Sequence, residues 1–471
     1  MKHCPYVLGG ERLSLVKLNA LSSFVGVPLQ LLLIIMMLGM GQLFAQQASD
    51  NGTQNFTLKD CIDYALQNQP TLKQSNINLS IAKTTNAINL SGWLPQVGAS
   101  ASFVHYIQQP TSYITNPADP TGPPVQVKSG VINTFIPTIS ASQAIFSPGL
   151  LYSATSAKLY VKAATQVIDS TKIGVVANVS KSFYNLLLTL KEIDVLKEDT
   201  VRLARNLNDA YHQYVGGIVD ETDYEEAAIS LNNSKAQLRQ ANENVIPQYA
   251  LLKQLMGYPT QNQFNVSFDT SQMAKDVVLD TTQQLQYEKR IEYQQLATAR
   301  ALQHKLTNYY WVSLAPTLGI YYDYNYEFEN NKLPPLLNTA YPNSLIGVSF
   351  NLPIFTGLSR LESVHRSKLQ EKLLELTEVN LKAEINTEYT QTLANYHSNY
   401  YNLGVMQDNV AMARRVYNVV NLQYKQGIVA YLNVITAESN LISSEIGYVN
   451  ALFQVLSSKV DLEKAMGVIS Y

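Results

Sequence analysis

Two stretches decide the fold: Tyr214-Val-Gly-Gly-Ile-Val-Asp-Glu-Thr-Asp-Tyr-Glu-Glu-Ala227 and Tyr424-Lys-Gln-Gly-Ile-Val-Ala-Tyr-Leu-Asn-Val-Ile-Thr-Ala437. They align without a gap at an offset of 210 residues. Tyr214 falls on Tyr424, Gly217-Ile218-Val219 on Gly427-Ile428-Val429, and Ala227 on Ala437. Each reads as a turn between two helices, because glycine ends the first helix and, in the first copy, Asp220 or Thr222 can cap the second.

The sequence around both turns is free of helix breakers. Of 18 prolines, none lies between Gly149 and Ile246, and none lies from Ile354 to Tyr471. Apolar residues recur there at alternating steps of four and three. In the first run they are Val179, Phe183, Leu186, Leu190, Ile193, Leu203, Leu207, Ala210 and Tyr214. In the second they are Tyr389, Leu393, Tyr396, Tyr400, Leu403, Val410, Ala413, Tyr417, Val420 and Tyr424. Such a seam keeps one stripe against a neighbouring helix, as in a coiled coil. The spacing predicts a helix over about 149–214, some ~100 Å long at 1.5 Å per residue. The alternative is a series of shorter helices broken at Gly174 and Gly404.

The duplication reaches beyond the turns. Met256-Gly257 matches Met466-Gly467 at the same offset. Ile145-Phe146-Ser-Pro-Gly149 resembles Ile354-Phe355-Thr-Gly357, and Trp93-Leu-Pro95 resembles Trp311-Val-Ser-Leu-Ala-Pro316. The chain therefore reads as two copies of one unit, 46–260 and 261–471. Each copy runs helix, strand, loop, strand, long helical hairpin.

The expected strands alternate. Leu318, Ile320, Tyr322, Tyr324, Tyr326 and Phe328 share one face; Thr317, Gly319, Tyr321, Asp323, Asn325 and Glu327 share the other. Ser344–Phe355 returns with Ile346, Val348, Phe350, Leu352 and Ile354 on one side. The first copy is fainter, with Val97, Ala99, Ala101, Phe103 and Ile107 outward and Ile139, Ala141 and Ile145 back. Residues 108–130 and 329–343 read as polar, proline-bearing loops. These lengths suit tilted strands that cross a bilayer, apolar outside and polar inside. An antiparallel sheet resting one face on a soluble core has the same pattern. Four strands cannot close a barrel around water, since the smallest have about eight, so a membrane reading requires several chains to share one barrel.

Residues 18–49 carry no charge, and Leu31–Met40 is apolar behind Lys2, Arg12 and Lys17. This order reads as a signal peptide, residues 1–45, cleaved after about Ala45; an N-terminal membrane anchor is the alternative. Cys4 lies within it, leaving Cys61 alone as a small buried residue on a helix.

Composition narrows the function. Lys+Arg (34) and Asp+Glu (36) nearly cancel, which excludes a basic nucleic-acid binder. A 46% hydrophobic content excludes a disordered chain. No other apolar run approaches the ~20 residues of a spanning helix, so this is no polytopic helical membrane protein. Charged residues are only 15%, below the usual ~25%, and tyrosine is abundant at 30 residues.

The opening Phe56-Thr-Leu-Lys-Asp-Cys-Ile-Asp-Tyr-Ala-Leu-Gln-Asn-Gln-Pro70, Leu94-Pro95, both Ile-Phe…Gly elements and both Tyr-x-x-Gly turns together resemble the TolC-like outer-membrane factor family. The resemblance spans about Phe56 to Gly467. It implies an α+β membrane protein, with long antiparallel coiled-coil hairpins and four transmembrane strands per chain. A homotrimer would close a 12-stranded barrel above a periplasmic helical tunnel. It implies an exit duct for a tripartite efflux pump or type I secretion system, partnered by a periplasmic adaptor and an inner-membrane transporter. The adaptor-docking tips would be Gly217, Ile218, Val219 and Asp223 with Gly427, Ile428 and Val429. Relatives narrow the tunnel with acids after the second turn, where this chain has Asn433 and Thr436. Asp220 and Glu226, after the first turn, are candidates for lumen charge; the same acids also suit the N-terminus of a helix.

No catalytic pattern competes with this reading. The six histidines are scattered, no phosphate-binding glycine loop or nucleophile elbow occurs, and no cofactor or metal is expected. The rival is a secreted coiled-coil scaffold or surface protein with a soluble β domain.

Overall fold

The computed structural model describes residues 54–115, 117–118, 120–267, 277–279 and 285–471. The expected signal peptide lies outside them.

The chain opens with β1 (Gln54–Phe56) and α1 (Leu58–Asn68). Thr57 caps α1 in a reciprocal box with Asp60: its side chain accepts from the Asp60 N–H, and its own N–H donates to the Asp60 carboxylate at 2.9 Å. A cap of this kind is worth about 1 kcal/mol. Cys61 is fully buried on α1, and burial pushes its thiol up to about 12. Pro70 then begins α2 (Pro70–Ser91), where its missing N–H costs nothing.

The first strand pair is β2 (Gln96–His105) and β5 (Asn133–Phe146). Between them the expected loop holds a small hairpin, β3 (Thr111–Ile114) and β4 (Val125–Lys128). Next come α3 (Pro148–Val215), 68 residues without a break, and α4 (Glu221–Met256), which continues through Pro247. β6 (Phe264–Val266) pairs with β1 in parallel, Gln54 opposite Phe264.

The second half repeats this order with α5 (Ile291–Val312), β7 (Thr317–Asn330), β8 (Ala340–Asn351), α6 (Ser359–Lys425) and α7 (Tyr431–Met466). Both long helices run through their glycines, Gly174 and Gly404. α4 and α7 are each 36 residues long and start 210 residues apart.

Strand ends differ from expectation. β2 stops at His105, so Ile107 is outside it. β8 begins at Ala340 and ends at Asn351, so Leu352, Ile354 and Phe355 lie in the corner leading to α6. β8 ends where its partner does, since Asn351 pairs with Thr317, the first residue of β7.

One antiparallel sheet forms in the order β2-β5-β7-β8, joining the two halves through β5 and β7. The helices also follow a simple order. α3 packs against α2 and α4 on one side and α5 and α7 on the other; α6 packs against α5 and α7. The Met-Gly pairs explain how the shorter helices stack. Gly257 and Gly467 close α4 and α7 in the left-handed region, φ 69° and 70°. A Cβ on Gly257 would stand 2.8 Å from the Asn68 carbonyl oxygen, and one on Gly467 would stand 2.9 Å from that of Lys289. The end of α4 thus abuts the start of α2, and the end of α7 abuts the start of α5. Buried Arg290 fastens the second joint, donating to the Ala465 carbonyl at 2.8 Å and to Glu388 of α6 at 2.7 Å.

Nine of the nineteen seam residues are buried and eight more are half-buried. Val179, Phe183, Leu186, Ile193, Leu203 and Ala210 are buried on α3, and Tyr396, Tyr417 and Tyr424 on α6. Tyr214 and Tyr400 are exposed.

Candidate functional site

The two hairpin tips have nearly the same backbone. In the first, the Ile218 N–H donates to the Gln213 carbonyl at 2.9 Å and the Gly217 N–H to that of Tyr214 at 2.9 Å. In the second, Ile428 donates to Gln423 at 2.9 Å and Gly427 to Tyr424 at 2.8 Å. This pairing finishes a helix when the residue after its cap is left-handed, and Gly217 and Gly427 have φ 71° and 72°. The turn leaves Ile218 and Ile428 standing out, 71% and 69% exposed. Val219 and Val429 are half-buried behind them. Each tip therefore offers one exposed isoleucine on a rigid turn.

The acids separate. Asp220 sits at the cap of α4, yet its side chain makes no cap hydrogen bond. Asp223 and Glu226 are half-buried on the first turns of α4. Burial, and then the nearby Asp220, hold the Asp223 carboxyl above its ordinary value. Asn433 and Thr436 are exposed on α7 and turned to their own helix: Thr436 donates to the Leu432 carbonyl at 2.9 Å, Asn433 to that of Ala430 at 3.4 Å.

Just inside the tips, Ala210 and Ala227 of the first hairpin pack with Tyr417, Tyr424, Tyr431, Val434 and Leu441 of the second. The Tyr424 and Tyr431 hydroxyls are buried there with no hydrogen-bond partner. Lys425 pairs with Asp209 across the two hairpins at 3.2 Å.

Further from the tips lies a feature that sequence reasoning missed. Arg202 of α3 donates to Asp199 at 2.8 Å and to Glu438 of α7 at 2.9 Å. Asn206 donates to Glu438 at 3.1 Å, and Ser234 of α4 to Asp199 at 2.7 Å. The partners lie up to 236 residues apart in sequence, so no local motif could reveal them.

The far end from the tips is the sheet, and among the described residues none of α1–α7 packs extensively on it; only the short helical turn Leu336–Asn338 rests against β7 and β5. Its apolar face is bare: Val97 is 72% exposed, Ile346 79%, Val348 67% and Phe350 64%. The opposite face carries small and polar residues, Ser100, Ser140, Asp323 and Asn325. A soluble sheet would cover its apolar side, because a contiguous bare patch of this kind is unfavourable in water. Lipid on one side and water on the other satisfies both faces.

The chain matches the outer membrane efflux protein family over residues 61–258 and 311–468. It belongs to that family. Among curated proteins none matches it. Among solved structures it is similar to the transmembrane channel protein CusC, with TM-score 0.71, 14% identity, and 89% of this chain and 95% of that one covered. It is also similar to the Campylobacter jejuni outer membrane channel CmeC, with TM-score 0.67, 20% identity, and 87% and 85% covered. The Neisseria gonorrhoeae outer membrane channel MtrE, in its open state, gives TM-score 0.65 and 16% identity, with 87% and 88% covered. This outer membrane efflux protein is a TolC-like channel component. It sits in the outer membrane. The family is one of ducts rather than enzymes.

Proposed function

We propose that three copies of this chain form one continuous duct, with a shared 12-stranded barrel above a tube of helices. The observation that carries this reading is the pair of open edges. β2 and β8 each have one unpaired side, and long unpaired strands invite another strand. The same two edges continue into helices: α2 leads directly into β2, and β8 leads into α6. Because the edges differ, the contact between copies is head-to-tail, and a head-to-tail contact that closes makes a ring. Two copies would give eight strands, whose interior side chains fill; three give twelve and leave room for water.

Exposed apolar residues along both edges support this. α2 presents Ile77, Ile81 and Ile88, and α6 presents Leu361, Leu369, Leu373, Leu376 and Val379. Two units, 46–260 and 261–471, then give each trimer a nearly sixfold tube, and residues 1–45 are the export signal.

In this reading the duct is passive. It serves as the exit of a tripartite efflux pump or a type I secretion system, with energy supplied by an inner-membrane transporter. A periplasmic adaptor docks on Gly217, Ile218, Val219, Asp223, Gly427, Ile428 and Val429, while Asp220, Glu226, Asn433 and Thr436 border the aperture. The tips open when the adaptor binds the open form better than the closed one. Fractionation and sizing in detergent test the reading. A trimer in the outer-membrane fraction is expected, with solute sensitivity when the gene is deleted. A soluble periplasmic monomer would overturn it and restore the scaffold alternative.

A further inference from the structure

We propose that Glu438, held between Arg202 and Asn206 where the two hairpins of one chain meet, is a buried proton-binding site. Its occupancy sets how firmly the hairpins hold together.

The geometry leaves a charge unpaired. One guanidinium, that of Arg202, serves two carboxylates, Asp199 and Glu438, that are 0% and 2% exposed. Every other neighbour of Glu438 is accounted for. On α3 these are Asp199, Arg202 and Asn206; α4 contributes neutral Ser234, through Asp199. On α6, Tyr417 lies under the Arg202 guanidinium at 5.3 Å, and Arg414 is already paired with Glu445 of α7 at 2.6 Å. On α7 itself, Tyr431 and Glu445 flank the site, and the Tyr431 hydroxyl is un-ionised. Among the described residues, Arg202 is the one cation in a salt bridge with either carboxylate. Two buried carboxylates and one arginine carry a net −1, which a buried helical junction tolerates poorly. One proton removes it.

Burial, with Asp199 adding to it, lifts the Glu438 carboxyl to about 7 against the hydrogen bonds from Arg202 and Asn206. Burial likewise raises Asp199. Protons reach the site through a groove of about 470 Å³ between α4 and α7, lined by Asp199, Ser234, Gln237, Glu438 and Ser439.

The sign follows from where the proton binds better. Packed, Glu438 binds it near pH 7; separated, as an ordinary glutamate, near 4.5. The packed state therefore gains stability as pH falls from about 7 to 4.5, keeps it below 4.5, and loses it as pH rises through 7. Acid tightens the junction.

Hydrogen exchange of the assembled protein in detergent reads this directly. Protection of the α3 and α7 amides around residues 199–206 and 434–442, corrected for intrinsic exchange, should be about 25-fold greater at pH 5.5 than at pH 8. Glu438→Gln should give one protection level at both pH values. Equal pH dependence in wild type and E438Q, or none in wild type, overturns the proposal. Should E438Q fail to assemble, infrared difference spectra of the wild type decide. A buried carboxyl band appearing with a midpoint near pH 7 supports the site, and the absence of any carboxyl band titrating between pH 6 and 8 overturns it.

Discussion

α3 and α6 occupy equivalent places in the two halves, with 68 and 67 residues, yet they differ sharply. Twenty residues of α3 are buried, against six of α6. Intrinsic helix propensity does not explain this, because both carry an apolar seam. Position does: α3 has neighbours on both sides, and α6 has them on one. The bare flank of α6, with Leu369, Leu373 and Leu376 exposed, is where the proposed contact between copies would fall. The helix that looks unfinished tells more about assembly than the one that is complete.

Breaking the edge should have the largest effect. Leu369→Lys with Leu376→Lys places charge on the flank of α6 without touching the core of one chain. Sizing in detergent should find the trimer replaced by monomer, while circular dichroism keeps its helical signal. A trimer that persists would move the contact between copies elsewhere.

The next test compares matched positions. Phe183 on α3 is 2% exposed, and its counterpart 210 residues on is Leu393, half-buried on α6. Phe183→Ala should destabilise the protein by about 3–5 kcal/mol, as other buried phenylalanines do. Leu393→Ala should cost clearly less in denaturant titration, which sharpens the contrast between interior and edge. Equal losses would mean that assembly buries α6 as deeply as α3.

The tips, by contrast, should respond alike. Gly217→Ala and Gly427→Ala each force a side chain into the left-handed region and should cost about 1–2 kcal/mol at the turn. If the tips dock an adaptor, each should also weaken adaptor binding by calorimetry. A loss confined to one tip would break the equivalence of the two halves there.

The smallest effect belongs to the buried, unpartnered Tyr431 hydroxyl. Removing an orphaned polar atom is close to neutral or stabilising, so Tyr431→Phe should raise stability by up to about 1 kcal/mol in thermal unfolding. A clear loss would mean that the hydroxyl acquires a partner in the assembly.

Much of this fold was legible because its signals are local. Missing prolines and a seam of period 3.5 marked both hairpins, and glycine at positive φ marked both tips. Strand alternation marked β7, since each face meets one solvent. The less legible parts depend on distant partners. The β3–β4 hairpin hid among prolines, with strands of only four residues each. β8 could start early through Pro342 because an edge strand tolerates a missing N–H. The Arg202 network was invisible because a charged residue on a helix reads as surface until a second helix covers it.

One small element has a consequence for how the molecule is made. β1 pairs with β6, so Gln54 meets a partner 210 residues later in the chain. The hairpins can form from neighbouring sequence as soon as they emerge, but the first strand stays unpaired until half the protein has been delivered. Closing so long a loop is entropically costly and comes late. The order of synthesis thus leaves an adhesive strand end exposed for the longest time near Gln54, where an escorting chaperone would have the most to protect.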